Sequence, residues 1–256
     1  MTAFITLKHY LKRAFMKPVE VALMTLLPVG IIFLNVALNQ DFMAGEEGLQ
    51  FLWQGYNMLN TQVVMNIMIM FMFMSGAYAG EYYFYDLRSD NRWRLNATPV
   101  ATANFIFGAI SGGFIFSSLT GGLILTIGYF FFDIYLGNLI VVMPILFLVV
   151  LMSQFIGIIV AVFANGKGSI DGIMIALSFA MASLVGAFLI PIPVPDFVRD
   201  YILPYGVALR AAAISRPSPM FLDYGVSNAI PYLAILAGMT VAFGLAALII
   251  ARRRPV

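Results

Sequence analysis

An all-α, polytopic membrane protein with six transmembrane helices is the fold class this sequence predicts, and three observations predict it. Of 256 residues, 62% are hydrophobic and only 10% charged, too little polar surface to cover a water-soluble globule. Apolar runs of about twenty residues recur without charge, long enough to cross a bilayer core of about 30 Å at about 1.5 Å per residue. Lipid-exposed backbone must satisfy its own hydrogen bonds, so these runs are expected to be helices. Lys and Arg also collect in alternate connections, the asymmetry that marks cytoplasmic loops.

The first element is an amphipathic helix over residues 3–17, lying in the membrane interface. Phe4, Leu7, Leu11 and Phe15 share one face with Lys8 and Lys12 beside it, and Pro18 ends the pattern. Its interleaved charges leave no uninterrupted apolar core, so it does not read as a cleavable signal peptide. His9 is the only histidine and there is no cysteine, so it reads as an interfacial side chain, and no metal site or disulfide is expected. The predicted spans are Val21–Leu38, Asn57–Ala79, Asn104–Phe131, Leu139–Phe163, Gly172–Ile190 and Asn228–Ala251. Together they form a single transmembrane domain covering residues 1–256.

Polar residues gather at the start of the second span: Asn57, Asn60, Thr61, Gln62 and Asn66, with Ser75 further in. Asn57, Asn60 and Thr61 share one helical face and Gln62 and Asn66 another, so lipid cannot accommodate both. Interhelical hydrogen bonding explains them, and so does the wall of a central pathway, for which Asn57, Asn60 and Asn66 are the lining residues. Met65, Met68, Met70, Met72 and Met74 in the same span read as lipid-facing packing or as an adaptable lining. In the third span Gly108 with Gly112, and Ser117 with Gly121, are small-xxx-small pairs that let another helix approach closely.

Residues 191–227 contain Pro191, Pro193, Pro195, Pro204, Pro217 and Pro219 and are too broken to cross the membrane. Phe197, Tyr201, Tyr205 and Leu209 nevertheless recur every four residues, which predicts short external re-entrant helices acting as a cap over helix ends or as a gate.

Six spans put both termini on one side with eleven basic residues: Lys8, Lys12, Arg13, Lys17, Arg88, Arg92, Arg94, Lys167, Arg252, Arg253 and Arg254. The other side holds only Arg199, Arg210 and Arg216, so the termini are expected in the cytoplasm of a cell membrane, in particular a bacterial inner membrane. With the basic residues spread as topology signals and no continuous basic face, nucleic acid is not an expected partner.

Enzymatic motifs are missing. Asn165 to Ser169 superficially suggests a phosphate loop, but Ala161 stands where GxxxxGK[ST] needs glycine and Gly168 where it needs Ser or Thr. Neither G-x-S-x-G nor HExxH occurs. Glu20, Glu81, Asp133 and Asp171 sit at span edges, leaving the deep membrane without an ionisable relay, which argues against a proton-coupled transporter. The chain is not expected to be an enzyme or to hold a cofactor of its own.

Residues 80–103 form a charged cytoplasmic segment between the second and third spans. Asp86, Arg88, Asp90, Arg92, Trp93 and Arg94 mix both charge signs around an aromatic anchor, a pattern suited to a protein surface rather than to anionic lipid alone. Glu81 ends the second span, and the segment closes with Arg94, Leu95, Asn96, Ala97, Thr98, Pro99 and Val100. With the interfacial helix and six spans, this resembles the permease subunit of ABC-2 type exporters. The resemblance implies a coupling helix docking on a separate ATP-binding cassette ATPase that holds ATP and magnesium, with Asp86 to Arg94 as coupling residues and Glu81 as a gate or coupling residue. It also implies a second permease protomer, as a homodimer or heterodimer. In the middle of this segment, where family members often have Gly-Thr, the chain reads Arg88 to Trp93. A passive channel and a membrane scaffold are the alternative readings.

Overall fold

The computed structural model describes residues 2–16, 18–43, 50–88, 102–132, 138–186, 192–215 and 225–253, with side chains described for most of them. They are almost all helical, with no strand among the described residues. Five helices are long and apolar enough to cross a membrane: Thr61–Asp86, Ala103–Phe131, Leu139–Phe163, Lys167–Leu184 and Val226–Ala251. Val21–Leu34 is a shorter apolar stretch.

Helix α1 (Thr2–Phe15) stops before Pro18, which opens α2 (Pro18–Met43) as its first residue. The face of α1 that packs inward is a second one, beside the apolar stripe expected to lie in the interface. Tyr10 and Ala14 are buried while Phe15 is 54% exposed, because α1 lies along α5 (Thr102–Phe132), where Gly112 admits the Tyr10 main chain. The partner that Gly112 was expected to attract is therefore the chain's own N-terminal helix.

The second span is a broken rod. Helix α3 (Gln50–Met74) ends at Ser75 and Gly76, and α4 (Ala77–Tyr83) continues into a π-helical turn, Phe84–Arg88. At the break the ladder tightens, with Gly76 N–H reaching Phe73 O at 3.4 Å and Tyr78 N–H reaching Ser75 O at 3.1 Å. A Ser-Gly pair is a recognised cause of such a kink. Helix therefore persists nine residues past the predicted end at Ala79, so Glu81 lies inside the rod rather than closing it. The rod is also the core. Its five methionines from Met65 to Met74 are all buried, against the lipid-facing reading, because α2, α5, α6 (Leu139–Phe163), α7 (Lys167–Leu184) and the short helix Pro204–Ile214 surround it.

Helix α6 (Leu139–Phe163) matches its predicted span residue for residue, and the Asn138 side chain accepts the Ile140 N–H at 3.0 Å as its N-cap. Helix α7 (Lys167–Leu184) starts and ends earlier than predicted, because Gly186 turns the chain at φ 74°, a conformation glycine adopts without strain. A π-helical turn (Val198–Ile202), α8 (Pro204–Ile214) and α9 (Val226–Arg253) complete the chain. Helix α8 is buried almost entirely against α9, α6 and α3. Extended Leu203 (φ −80°, ψ 118°) separates the turn from α8, so the predicted four-residue stripe splits. Tyr205 and Leu209 face the core while Phe197 and Tyr201 face outward.

Burial orders these layers: 72% of the α3–α4 span and 67% of α6 is buried, against 22% of α7 and 22% of α9. The rod and α6 form the inner pair.

Candidate functional site

The predicted functional residues with described side chains, Glu81, Asp86 and Asn66, lie on the α3–α4 rod on either side of its break. At one end lie Glu81 and Asp86. Tyr10 Oη donates to Asp86 Oδ2 at 2.5 Å and Arg13 Nη1 pairs with Asp86 Oδ1 at 3.1 Å. The Arg13 guanidinium also lies 5.2 Å from the centroids of both Tyr82 and Tyr85, within cation–π range. Burial, and then the Asp86 charge, push the Tyr10 phenol well above its ordinary pKa, so it stays protonated and remains the donor. The N-terminal helix is thereby latched to the first residue of the predicted coupling set.

One turn deeper, Glu81 Oε2 meets Lys167 Nζ at 3.4 Å, with the Glu81 side chain only 4% exposed. A carboxylate removed from water this far needs a counter-charge. Lys167 supplies it from the first turn of α7. Glu81, Asp171, Tyr78 and Leu23 line a cavity of about 180 Å³ between α2, α4 and α7. Three separate segments, α1, α4 and the α6–α7 connection, are therefore joined by charge at this end.

The break at Ser75–Gly76 is stapled to α6. Gln154 Nε2 donates to Ser75 O at 3.2 Å and to Ser75 Oγ at 3.3 Å. The crossing beside it is formed by backbone: a Cβ on Gly76 would lie 2.1 Å from Ser153 O, and one on Gly157 would lie 1.8 Å from Gly76 O. Gly76 and Gly80 face Ser153 and Gly157, a small-xxx-small pair on each helix.

At the other end, Tyr205 Oη of α8 donates to the Asn66 main-chain oxygen at 2.5 Å. Gln62, Asn66, Arg199, Asp200 and Arg210 line a polar cavity of about 350 Å³. Arg199 pairs with Asp200 at 2.8 Å and with Asp196 at 2.9 Å. Its hydrogen bond to Asp200 raises its pKa further, fixing the positive charge.

Of the other predicted residues, Arg88 ends the π-helical turn with its side chain outside the described residues. Asp90, Arg92, Trp93 and Arg94 lie outside them altogether. Asn57 and Asn60 fall within α3, again without described side chains. Asn66 does line a cavity, whereas Thr61 is buried. Among the described residues no cluster of three His, Asp or Glu is placed to hold a metal.

Sequence reasoning missed Tyr10, Arg13, Lys167, Gln154 and Gly157. Arg13 and Lys167 were absorbed as topology signals, although each also pairs with a carboxylate. Gln154 did carry a signal, as the one amide in the otherwise apolar run Leu139–Phe163. No family model matches this chain, and no curated protein matches it.

Proposed function

We propose that this chain is the transmembrane subunit of an ATP-driven exporter of the ABC-2 type, coupling a separate ATP-binding cassette ATPase to a substrate pathway between two protomers. In this reading α2 completes a six-span layout in the cell membrane, and both termini and residues 80–103 are cytoplasmic. ATP and magnesium reside on the partner, and this chain is not itself an enzyme.

One observation carries the reading. The Asp86 end of the rod is tied to α1 through Tyr10 and Arg13 and to α7 through Lys167, while the Ser75–Gly76 break is packed on α6. Force applied to residues 86–95 would reach four helices through charge pairs and backbone contact rather than dissipate in a loop. On the other side of the break the same rod lines the Asn66 cavity, as a pathway linked to that lever requires.

Helix α7 supports a second protomer: Gly168, Gly172, Ala176 and Ala180 recur every four residues on an exposed face, and nothing lies within 4 Å of a Cβ built on Gly168 or Gly172. The apolar groove of about 880 Å³ between α5 and α6, lined by Leu119, Phe130, Met143 and Phe147, suits lipid chains.

The test replaces Arg88, Arg92 and Arg94 together with alanine in the reconstituted complex. Membrane insertion is retained, while co-purification with the ATPase and stimulation of ATP hydrolysis by substrate are lost. Undiminished co-purification overturns the docking claim.

A further inference from the structure

Three aromatic rings form a ladder beside the start of α9. Phe197 stacks on Tyr201 at 5.6 Å and 29°, and Tyr201 stacks on Tyr232 at 5.6 Å and 27°, with the two tyrosine hydroxyls 3.3 Å apart. The outer part of the ladder is open, with Phe197 66% exposed, Tyr201 43% and the adjoining Ile202 51%. Arg199, on the same turn, holds Asp196 at 2.9 Å and Asp200 at 2.8 Å. The rings, rather than the arginine, are therefore what this turn offers a partner.

Helix geometry sets the depth of the ladder. Between Tyr232 and Arg252 runs an uncharged stretch, Leu233–Ala251, whose one hydroxyl residue is Thr240. Residues 232 and 252 are 20 helical steps apart, about 30 Å at about 1.5 Å per step, which matches the hydrocarbon core of a bilayer. With Arg252 at one interface, Tyr232 stands at the other, and the rings stacked on it start from that level. Aromatic side chains with a polar tip concentrate at this depth because they suit the boundary between hydrocarbon and water. A second group agrees. Alternation of the crossing helices brings the end of α5 to the same side as the start of α9, and there Tyr129, Phe130 and Phe131 are exposed as well.

We propose that the ladder of Phe197, Tyr201 and Tyr232 is a membrane-interface anchor whose partner is the phospholipid surface of the leaflet opposite Arg252, held at glycerol depth by burial of the rings and independently of headgroup charge. The turn Val198–Ile202 is thereby moored to lipid beside the polar cavity that Arg199 and Asp200 line. It neither dips to the bilayer centre nor stands free in water. The anchor rests on α9 crossing the membrane and not on coupling to an ATPase.

The experiment places a single tryptophan in the full chain, with Trp53 and Trp93 replaced by phenylalanine. Liposomes of phosphatidylcholine carry bromine either near the carboxyl end or near the methyl end of the acyl chains. Val241→Trp sets the scale, because Val241 is exposed nine residues along α9 from Tyr232, about 14 Å and close to the bilayer centre. Its emission falls more with methyl-end bromine. Phe197→Trp reverses that order, loses most emission to carboxyl-end bromine, and loses less to aqueous iodide than a tryptophan amide in buffer. Adding phosphatidylglycerol leaves the pattern unchanged. Ile202→Trp gives the same order and preserves the test if Phe197→Trp fails to fold. Strong iodide quenching without a bromine effect places the ladder in water and overturns the anchor. Protection from both quenchers assigns the rings to a protein partner such as a second copy, and preferential loss to methyl-end bromine makes the segment re-entrant; each overturns it. Quenching that requires phosphatidylglycerol overturns the independence from headgroup charge, and absent or shallow quenching at position 241 removes the depth scale and the anchor with it.

Discussion

Two stretches of this molecule use the same sequence device and end in opposite states. Gly76 at the break and Gly80 on α4 meet Ser153 and Gly157 on α6 at backbone contact. On α7, Gly168, Gly172, Ala176 and Ala180 keep the same four-residue spacing yet face outward. In a bilayer, lipid chains are as apolar as leucine, so helices associate through close packing and hydrogen bonds rather than hydrophobic expulsion. A small-residue stripe is thus an invitation to pack, answered inside the protomer at α4–α6 and left open at α7. The filled crossing fixes the rod, and the open one is where the proposed second protomer would pack.

Gly157→Ala presses hardest on this contrast, because its Cβ would stand 1.8 Å from a main-chain oxygen that cannot swing away. It should destabilise the chain by about 3 kcal/mol in reversible unfolding from mixed micelles, whereas Gly172→Ala should stay within about 0.5 kcal/mol of the unaltered protein. Equal effects at the two sites would erase the distinction.

Tyr10→Phe keeps the α1–α5 crossing at Gly112 and removes only the hydrogen bond to a charged carboxylate, a loss of about 1.5 to 2 kcal/mol. Hydrogen exchange of α1 amides should accelerate accordingly, and unchanged exchange would show that packing alone holds the helix. Gly172→Leu with Ala176→Leu should leave protomer stability intact and weaken self-association at least about tenfold, or 1.4 kcal/mol, by fluorescence transfer in liposomes. An undisturbed dimer would move the interface away from α7. Gln154→Leu should cost about 1 kcal/mol through the lost bonds to Ser75, and a double-mutant cycle with Ser75→Ala isolates its side-chain part.

Much of this architecture was legible in advance. Leu139–Phe163 was read to the residue because a charge-free run bounded by a capping Asn and a glycine-containing connection has unambiguous ends. The second span was misread at its far end because Glu81 and Asp86 resemble solvent-facing punctuation. They extend the helix instead, since Lys167, Tyr10 and Arg13 compensate them. The methionines read as lipid-facing packing or as an adaptable lining because a helix apolar on every side fits lipid and protein interior equally well. Asn66, read as a pathway residue, lines a cavity together with Arg199, Asp200 and Arg210, which arrive there from well over a hundred positions away.

By itself the sequence determined the helical membrane class, most of the spans, and the positions of small, polar and basic residues, because desolvation and helical periodicity act over a turn or two of chain. Which of those residues meet was decided only by the tertiary structure. Tyr10 and Asp86 are separated by 76 positions, Gln154 and Ser75 by 79, and their contacts depend on how whole helices are laid side by side. Helix packing in lipid is selected by backbone fit at a few close crossings, and no local pattern states which stripe will find its partner within the chain and which will wait for one outside it.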